Sequence, residues 1–458
     1  MKKICVFDLN LNSILTCLFL LYNNPKLEIY LINNNKNKKY SNIQTSDINK
    51  IISNSSIDII DFLYNTKSTF KVANLYKNNY YDIEDLENYI PADTKYEFEI
   101  LKSYFYYKDF KNLNLLNKIF CKIIHLCDYN LFTSRLDTFS VYENVSYRLE
   151  TSNTIEYIKK LCFSFNNFTF IEPDKKIKIL QDADKNIESI LLEDTEYKFD
   201  LYIDCSDDNF LIKNDNDYID VSHIFNVNRL LNYKIEYKNK RKELVPYTKI
   251  NDLDNGLVYN TCSYEYNNLN FLFNADIEFD NSEFIKNQNI IDITESTVNS
   301  GYYQFAWKNN ILGLGPKLSY LDPIEGNEIF NLFNLLNYLS LLLNNDFITL
   351  FDKNNFNLYY KNSIEKKIYG IIKKRISFMH RNDTVFWKHY YTQDFFEKFE
   401  QYFNLFEVDK HQLIKPFNIK DAHIVYNKLN EFELFKNEMN KNFLNYYQWL
   451  KNNIFEKE

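Results

Sequence analysis

Apolar positions change their period several times along this chain, and each change marks an element. ICVFDL reads as a short strand, Ser13–Tyr22 as an apolar helix and LEIYLI as a second, alternating strand, so the chain opens on a βαβ unit. STFKVANLYKNNY holds an apolar alternating strand with Lys71 between Phe70 and Val72. The Tyr- and Leu-rich run from Tyr80 to Asn130 turns helical in its second half, and SYRLE predicts a strand that passes through Thr151–Thr154 into an amphipathic helix. From FTFIEPD onward the pattern is a series of short strands with turns, ending in the strongly apolar YKFDLYIDC, which returns the chain to the parallel sheet. YKIEYK, LVPYTKI and LNFLFNADIEF predict an antiparallel sheet inserted within 214–300, and the portion from Glu328 onward reads mostly helical. The fold class is therefore α/β.

One stretch concentrates candidate chemistry, WKNNILGLGPKLSYLDPIEGN, residues 307–327. Gly313 and Gly315, two apart in an apolar run, predict a buried strand that ends in a close backbone approach. Asp322, Pro323 and Glu325 follow, then Gly326 and an apolar helical pattern for which Asn327 is the expected N-cap. A carboxylate there is either simple capping or part of a site beside an anion-receptive helix start. The loop of the βαβ opening, DLNLNS, has no glycine. Asn10 or Asn12 can hold a left-handed turn, but a Cβ at a crowded position impedes close approach of a pyrophosphate, so nucleotide binding and a purely structural role both stay open. Lys71 must either snorkel from an edge strand or point into a cavity with its charge paired. Asp204, with Cys205 and Ser206, stands at the carboxyl end of a strand, where α/β sheets bind ligands, and is either a surface or capping residue or a catalytic one.

Composition narrows the classes. A chain of 458 residues and formal net charge −8 has no basic stripe for nucleic acid. Its Asn and Lys bias is spread along the whole length over a surviving apolar periodicity, so the asparagine-rich patches are not read as disordered tracts. Seven scattered cysteines without a CxxC predict reduced, buried thiols and a cytoplasmic location. Asp8 and several asparagines interrupt the N-terminal apolar run, which argues against a signal peptide, and the Leu332–Leu343 segment is too short to span a bilayer, so no membrane partner is expected. His380 and His389 lie at no metal-ligand spacing, and no metal is expected.

The residues of 307–327 resemble, without a gap, the segment of flavin-dependent tryptophan halogenases that has an aromatic residue, paired asparagines, a glycine-bearing strand and a Leu-Glu-Pro-Leu-Glu-Ser-Thr turn entering a helix. FDLYIDCSD is similar to that family's last sheet strand, SYRLE to the segment before its mid-domain helix, and TFKVANLYKNNY to the strand that carries its essential lysine. HRNDTVFW resembles its Asp-Thr-Pro-Phe-Trp signature, with Val385 in place of proline. The resemblance implies a FAD/NAD(P)-binding-like βαβ sheet domain, an inserted antiparallel substrate-side sheet and a largely helical C-terminal region. The expected boundaries are 1–213, 214–300, 301–345 for the return to the flavin-binding-like part, and 346–458.

It further implies FADH2-dependent halogenation of tryptophan or another indole-like aromatic, through a flavin hydroperoxide and hypohalous acid. The implied partners are a flavin reductase, a halide and an aromatic small molecule; a homodimer is compatible with it. Lys71 resembles the lysine that presents the electrophilic halogen, and Glu325 the glutamate that assists at the substrate ring. Gly326 and Asn327 stand where the family cups its halide. FAD contacts are implied at Asn10, Ser13, Asn33, Asp204, Gly313 and Gly315. The departures fall on the cofactor side, so FAD is expected to be held weakly or lost. The family's phosphate-cradling glycines correspond to Asp8, Asn10 and Ser13, its acidic residue after the second strand to Asn33, and its two tryptophans in Gly256–Thr261 to Leu257 and Tyr259. The alternatives are a halogenase-fold protein without flavin chemistry that acts as a binding or partner subunit, and a flavin monooxygenase.

Overall fold

A computed structural model of the chain describes residues 2–34, 43–46, 48–76, 79–81, 95–108, 113–120, 122–133, 135–136, 139–140, 145–174, 177–193, 195–207, 210–212, 217–278, 280–325, 331–379, 381–395, 397, 399 and 418–456. The chain divides into two compact units, 1–68 with 147–229 and 296–374, and 69–146 with 230–295 and 375–458.

The first unit is built on the expected βαβ opening. Strand β1 (Lys3–Phe7) leads into helix α1 (Leu11–Asn23) and strand β2 (Glu28–Ile32). Helix α2 (Thr151–Cys162) precedes strands β3 (Phe168–Ile171) and β4 (Leu201–Asp204), and β5 (Trp307–Lys308) and β6 (Ile311–Gly313) complete the sheet. Its order is β3-β2-β1-β4-β6-β5. Pairing is parallel throughout except for β5 on β6, which is antiparallel. Helix α1, largely apolar but with Asn12, Ser13 and Thr16 among its buried residues, is buried from Leu11 to Leu21, packed on α2 and on helix α3 (Leu332–Leu343). On the other face Cys5, Phe7, Ile32, Tyr202 and Ile311 share a core with Ile187, Ile190 and Leu192. Those three belong to an antiparallel layer of Lys178–Gln181, Ile187–Leu192 and Thr195–Tyr197.

The second unit holds a seven-stranded sheet in the order Ile290–Thr297, Arg229–Ile235, Asn267–Phe273, Gly256–Cys262, Tyr247–Leu253, Ala73–Tyr76, Asn79–Tyr81. Gly256 is required there, since a Cβ would lie 2.1 Å from the Leu272 carbonyl oxygen on the neighbouring strand. A second cluster joins the helices Lys95–Lys108, Leu113–Phe120 and Ala422–Asn442 through Phe98, Leu101, Phe105, Leu116, Val425 and Phe432.

The architecture is mixed α/β as expected, but the pieces group differently from the boundaries drawn on the sequence. Residues 69–146 do not stay with the opening unit, because Ala73–Tyr76 pairs in parallel with Tyr247–Leu253. The C-terminal helices form no region of their own, since Ala422–Asn442 shares its apolar face with helices of 95–120. Helix α3 begins at Leu332, with Asn331 at φ 65° ahead of it. A residue in the left-handed region interrupts a right-handed helix, so Asn331 and not Asn327 is its N-cap; Asn327 lies outside the described residues, as does Gly326.

Candidate active site

The point where strand order reverses, between β1 and β4, is where open α/β sheets bind ligands. The loop leaving β1 keeps the backbone shape of a glycine turn with other residues in it. Asp8 sits at φ 72°, and its N–H donates to the Ile32 carbonyl at 2.7 Å. Asn10 then caps α1 in a complete capping box. Its side-chain oxygen accepts from the Ser13 N–H at 3.0 Å, and the Asn10 N–H donates to the Ser13 hydroxyl at 2.9 Å.

The asparagine side chains also reach across the sheet. Asn10 Nδ2 donates to the Cys205 carbonyl just beyond β4 and approaches Asp207 Oδ1 at 3.4 Å. Asn12 Nδ2 donates to the Leu314 carbonyl just beyond β6 at 2.8 Å. Both asparagines are buried.

Asp204 is fully buried and holds its own loop. Oδ1 accepts from the Ser206 N–H (3.0 Å) and hydroxyl (2.6 Å), and Oδ2 from the N–H groups of Leu211 (2.7 Å) and Ile212 (3.0 Å). Burial pushes its carboxyl above the ordinary range, against the downward pull of those bonds. Asp204 is thus not a surface residue, and its side chain caps its own loop. Asn33, also buried, donates to Glu172 Oε1 at 2.7 Å. Gly315 makes the predicted close approach: a Cβ there would lie 2.5 Å from the Ser206 carbonyl oxygen, while one at Gly313 would meet the Leu318 side chain at 2.9 Å.

A flavin dinucleotide is the cofactor implied for a chain of this kind, and its pyrophosphate would lie against this loop. The residues present do not fit it. The Asn10 and Ser13 N–H groups are spent on the capping box, two asparagine amides stitch the loop to the ends of β4 and β6, and the Asp8 carboxylate stands at the turn, its Oδ1 accepting from the Leu9 N–H at 3.2 Å. Asn10 and Ser13, expected as cofactor contacts, thus serve the protein's own backbone.

Pro323–Glu325 forms one 3₁₀ turn, entered through Asp322, which accepts from the Ile324 N–H at 2.8 Å. The Glu325 side chain lies outside the described residues.

In the second unit, Lys71 ends the short strand Thr69–Lys71 and is buried, 8% exposed. It is not a lysine snorkelling from an exposed edge. The backbone around it is clasped by groups from distant segments. The Tyr446 hydroxyl accepts from the Phe70 N–H at 2.8 Å and donates to the Phe70 carbonyl at 3.0 Å. Thr69 Oγ1 donates to the Cys262 carbonyl at 2.9 Å, and the Val72 N–H to that of Pro246 at 2.7 Å. The Phe70 ring stacks on Phe132 with centroids 5.5 Å apart, and Trp449 packs beside both. Sequence reasoning found Lys71 but not Tyr446, whose only mark is its place in an aromatic C-terminal helix. Tyr446→Phe keeps the ring and leaves two buried backbone groups of Phe70 without that partner, so chemical denaturation is expected to show a loss of about 1–3 kcal/mol.

The HRNDTVFW stretch is a structural knot. Arg381 pairs with Asp252 (3.0 Å), Asp254 (2.7 Å) and Asp383 (2.8 Å), Thr384 Oγ1 donates to the Asp254 carbonyl at 2.7 Å, and Trp387 Nε1 donates to the Leu253 carbonyl at 2.8 Å. The guanidinium holds the exposed Asp383 carboxyl down at about 2. Among the described residues no group of three or more His, Cys, Asp or Glu could hold a metal ion, and no helix is long and apolar enough to cross a membrane.

The family model described as tryptophan halogenase matches residues 27–440. No curated protein sequence matches the chain. Among solved structures, a tryptophan halogenase from Shewanella frigidimarina is 13% identical, with a TM-score of 0.78 covering 100% of this chain and 99% of that one. A flavin-dependent halogenase from Xanthomonas campestris is 13% identical, with a TM-score of 0.78 over 99% of this chain and 98% of that one. A tryptophan 6-halogenase from Streptomyces toxytricini is 12% identical, with a TM-score of 0.75 over 98% and 99%.

Proposed function

The chain belongs to the tryptophan halogenase family, and from that premise we propose that it catalyses halogenation of an indole-like aromatic ring, tryptophan or a related small molecule, with Lys71 presenting the halogen. The observation that carries this reading is the burial of a lysine in a strand clasped on both sides, within a chain matched to the family over residues 27–440. A buried amine is poorly hydrated and confined to few rotamers, which suits a nitrogen that must hand on a reactive group in one direction.

The Lys71 nitrogen takes the halogen from hypohalous acid, and water is released. The ring carbon then takes the halogen from nitrogen, the bonding electrons staying on nitrogen. The ring proton is taken up by a base, the role that the resemblance gives to Glu325, and the nitrogen regains a proton, restoring the amine. Family membership implies reduced flavin from a separate reductase, together with halide and oxygen, as the source of that acid. Gly326 and Asn327 are the residues proposed to cup the halide, by resemblance alone.

The reading is tested by incubating the protein with a flavin reductase, chloride or bromide and a panel of indole-containing molecules, and following products by mass. No halogenated product across the panel, with reduced flavin supplied continuously at high micromolar concentration, overturns it. Glu325→Gln keeps the shape and removes the base, so turnover is expected to fall by roughly 10–10³-fold with little change in substrate affinity. Equal turnover in the two proteins removes Glu325 from the mechanism.

A second reading is favoured by one observation, the loop at the β1–β4 crossover, where the Asn10 and Ser13 N–H groups and the Asn10 and Asn12 amides are taken up by the chain itself. That reading is a halogenase-fold protein without flavin chemistry, serving as a binding or partner subunit. It predicts no product in the same assay with the fold intact.

A further inference from the structure

We propose that this chain seals its own dinucleotide seat, so that the crossover between β1 and β4 rejects the pyrophosphate of a flavin through three residues, Asp8, Asn10 and Asn12. The inference goes beyond the halogenation reading and limits it, since the reduced flavin that reading calls for could then be engaged only at high concentration.

Two effects act together, and both are local. The first is steric and hydrogen-bonding. A pyrophosphate needs bare N–H groups and a close approach to backbone at the start of a helix. Here the capping box spends the Asn10 and Ser13 N–H groups. The amides of Asn10 and Asn12 bridge from the helix start to the carbonyl ends of β4 and β6. An anion could enter only after the Asn10–Cys205 bridge opened, which would leave a buried carbonyl without that donor.

The second effect is electrostatic. The carboxylates of Asp8 and Asp207 lie beside the loop, Asp207 Oδ1 at 3.4 Å from Asn10 Nδ2, where a dianionic group would have to settle. Like charges at this range repel most strongly in a site shielded from water. The backbone has not changed to match: Asp8 still holds a φ of 72°, which glycine adopts without steric cost. A glycine returned to position 8 therefore meets a conformation already suited to it.

The experiment is a titration of the full chain and of its Asp8→Gly, Asn10→Gly and double variants with oxidised flavin adenine dinucleotide, followed by flavin fluorescence. Riboflavin, which has no phosphate, is the second probe, and thermal melting confirms that each variant is folded. Asn10→Gly gives up a helix cap, so Asp8→Gly alone keeps the test decisive if the double variant fails to fold. The expected result is no saturation of the unaltered protein below about 100 μM dinucleotide, tightening by roughly 10-fold or more in the folded variants, and an unchanged response to riboflavin. Raising the salt concentration should strengthen whatever dinucleotide binding the unaltered protein shows, the reverse of a basic phosphate site, because screening weakens repulsion.

Saturable binding of the dinucleotide by the unaltered protein at low micromolar concentration overturns the proposal. So does a folded Asp8→Gly variant that binds no tighter, or an equal gain for riboflavin. The halogenation reading is judged separately. If tight dinucleotide binding is found and product still forms, the seal falls and the reaction stands. If the repaired variant binds the dinucleotide but no variant makes product under reductase supply, the seal stands and the reaction falls.

Discussion

Lys71→Ala is expected to abolish halogenated product, by about 10³-fold or more, while the secondary structure and melting behaviour of the protein stay near those of the unaltered chain. The size follows from the role proposed for it, since removing the atom that carries the transferred group leaves no slower version of the same step. Lys71→Arg sharpens the result. It keeps a cation and much of the length, but a guanidinium stays protonated and offers no free electron pair, so it is expected to be as inactive as alanine. A structural lysine would behave the other way, with arginine partly rescuing stability and activity together. Product formation by Lys71→Ala at the original rate removes the lysine from the mechanism.

Asp204→Ala is expected to cost about 3–5 kcal/mol of stability, the largest loss for any single polar side chain of the sheet crossover. The carboxylate is fully buried and accepts from three backbone N–H groups and one hydroxyl, so alanine leaves four donors without that partner. Asp204→Asn is expected to do little better. Both oxygens face backbone donors, and whichever way the amide is turned its NH2 must point at an N–H. Denaturant unfolding of the two variants measures this directly. An Asp204→Asn variant as stable as the original would mean that the loop bonds contribute little.

Lys71 and Asp204 mark the two levels at which this protein can be read. Apolar patterning was enough to find the strands Lys3–Phe7, Glu28–Ile32 and Leu201–Asp204, the buried helix after the first of them, and the extended segments that became Arg229–Ile235, Tyr247–Leu253 and Asn267–Phe273, because burial demands a continuous apolar run or a repeat. Gly315 was legible too, since glycines two apart in an apolar run have few other uses, and the structure puts a Ser206 carbonyl against it. The missing glycines at 8, 10 and 13 were visible as a loss, and Asp8 still stands in a turn shaped for glycine.

What filled that loss was not legible. The Asn10 amide finds Cys205, 195 residues away, the Asn12 amide finds Leu314, 302 residues away, and the Tyr446 hydroxyl finds Phe70, 376 residues away. A polar side chain leaves no period in a sequence, and its partner is chosen only when packed elements bring two distant groups within about 3 Å. The grouping of residues 69–146 with 230–295 has the same origin: a parallel pairing of Ala73–Tyr76 with Tyr247–Leu253 is set by backbone hydrogen bonds between segments that carry no mark of one another. The sequence by itself thus determined the elements, their buried faces and the identity of the candidate lysine. Only the tertiary structure decided which groups clasp that lysine and which asparagines occupy the crossover, because both depend on hydrogen bonds between segments far apart in the chain.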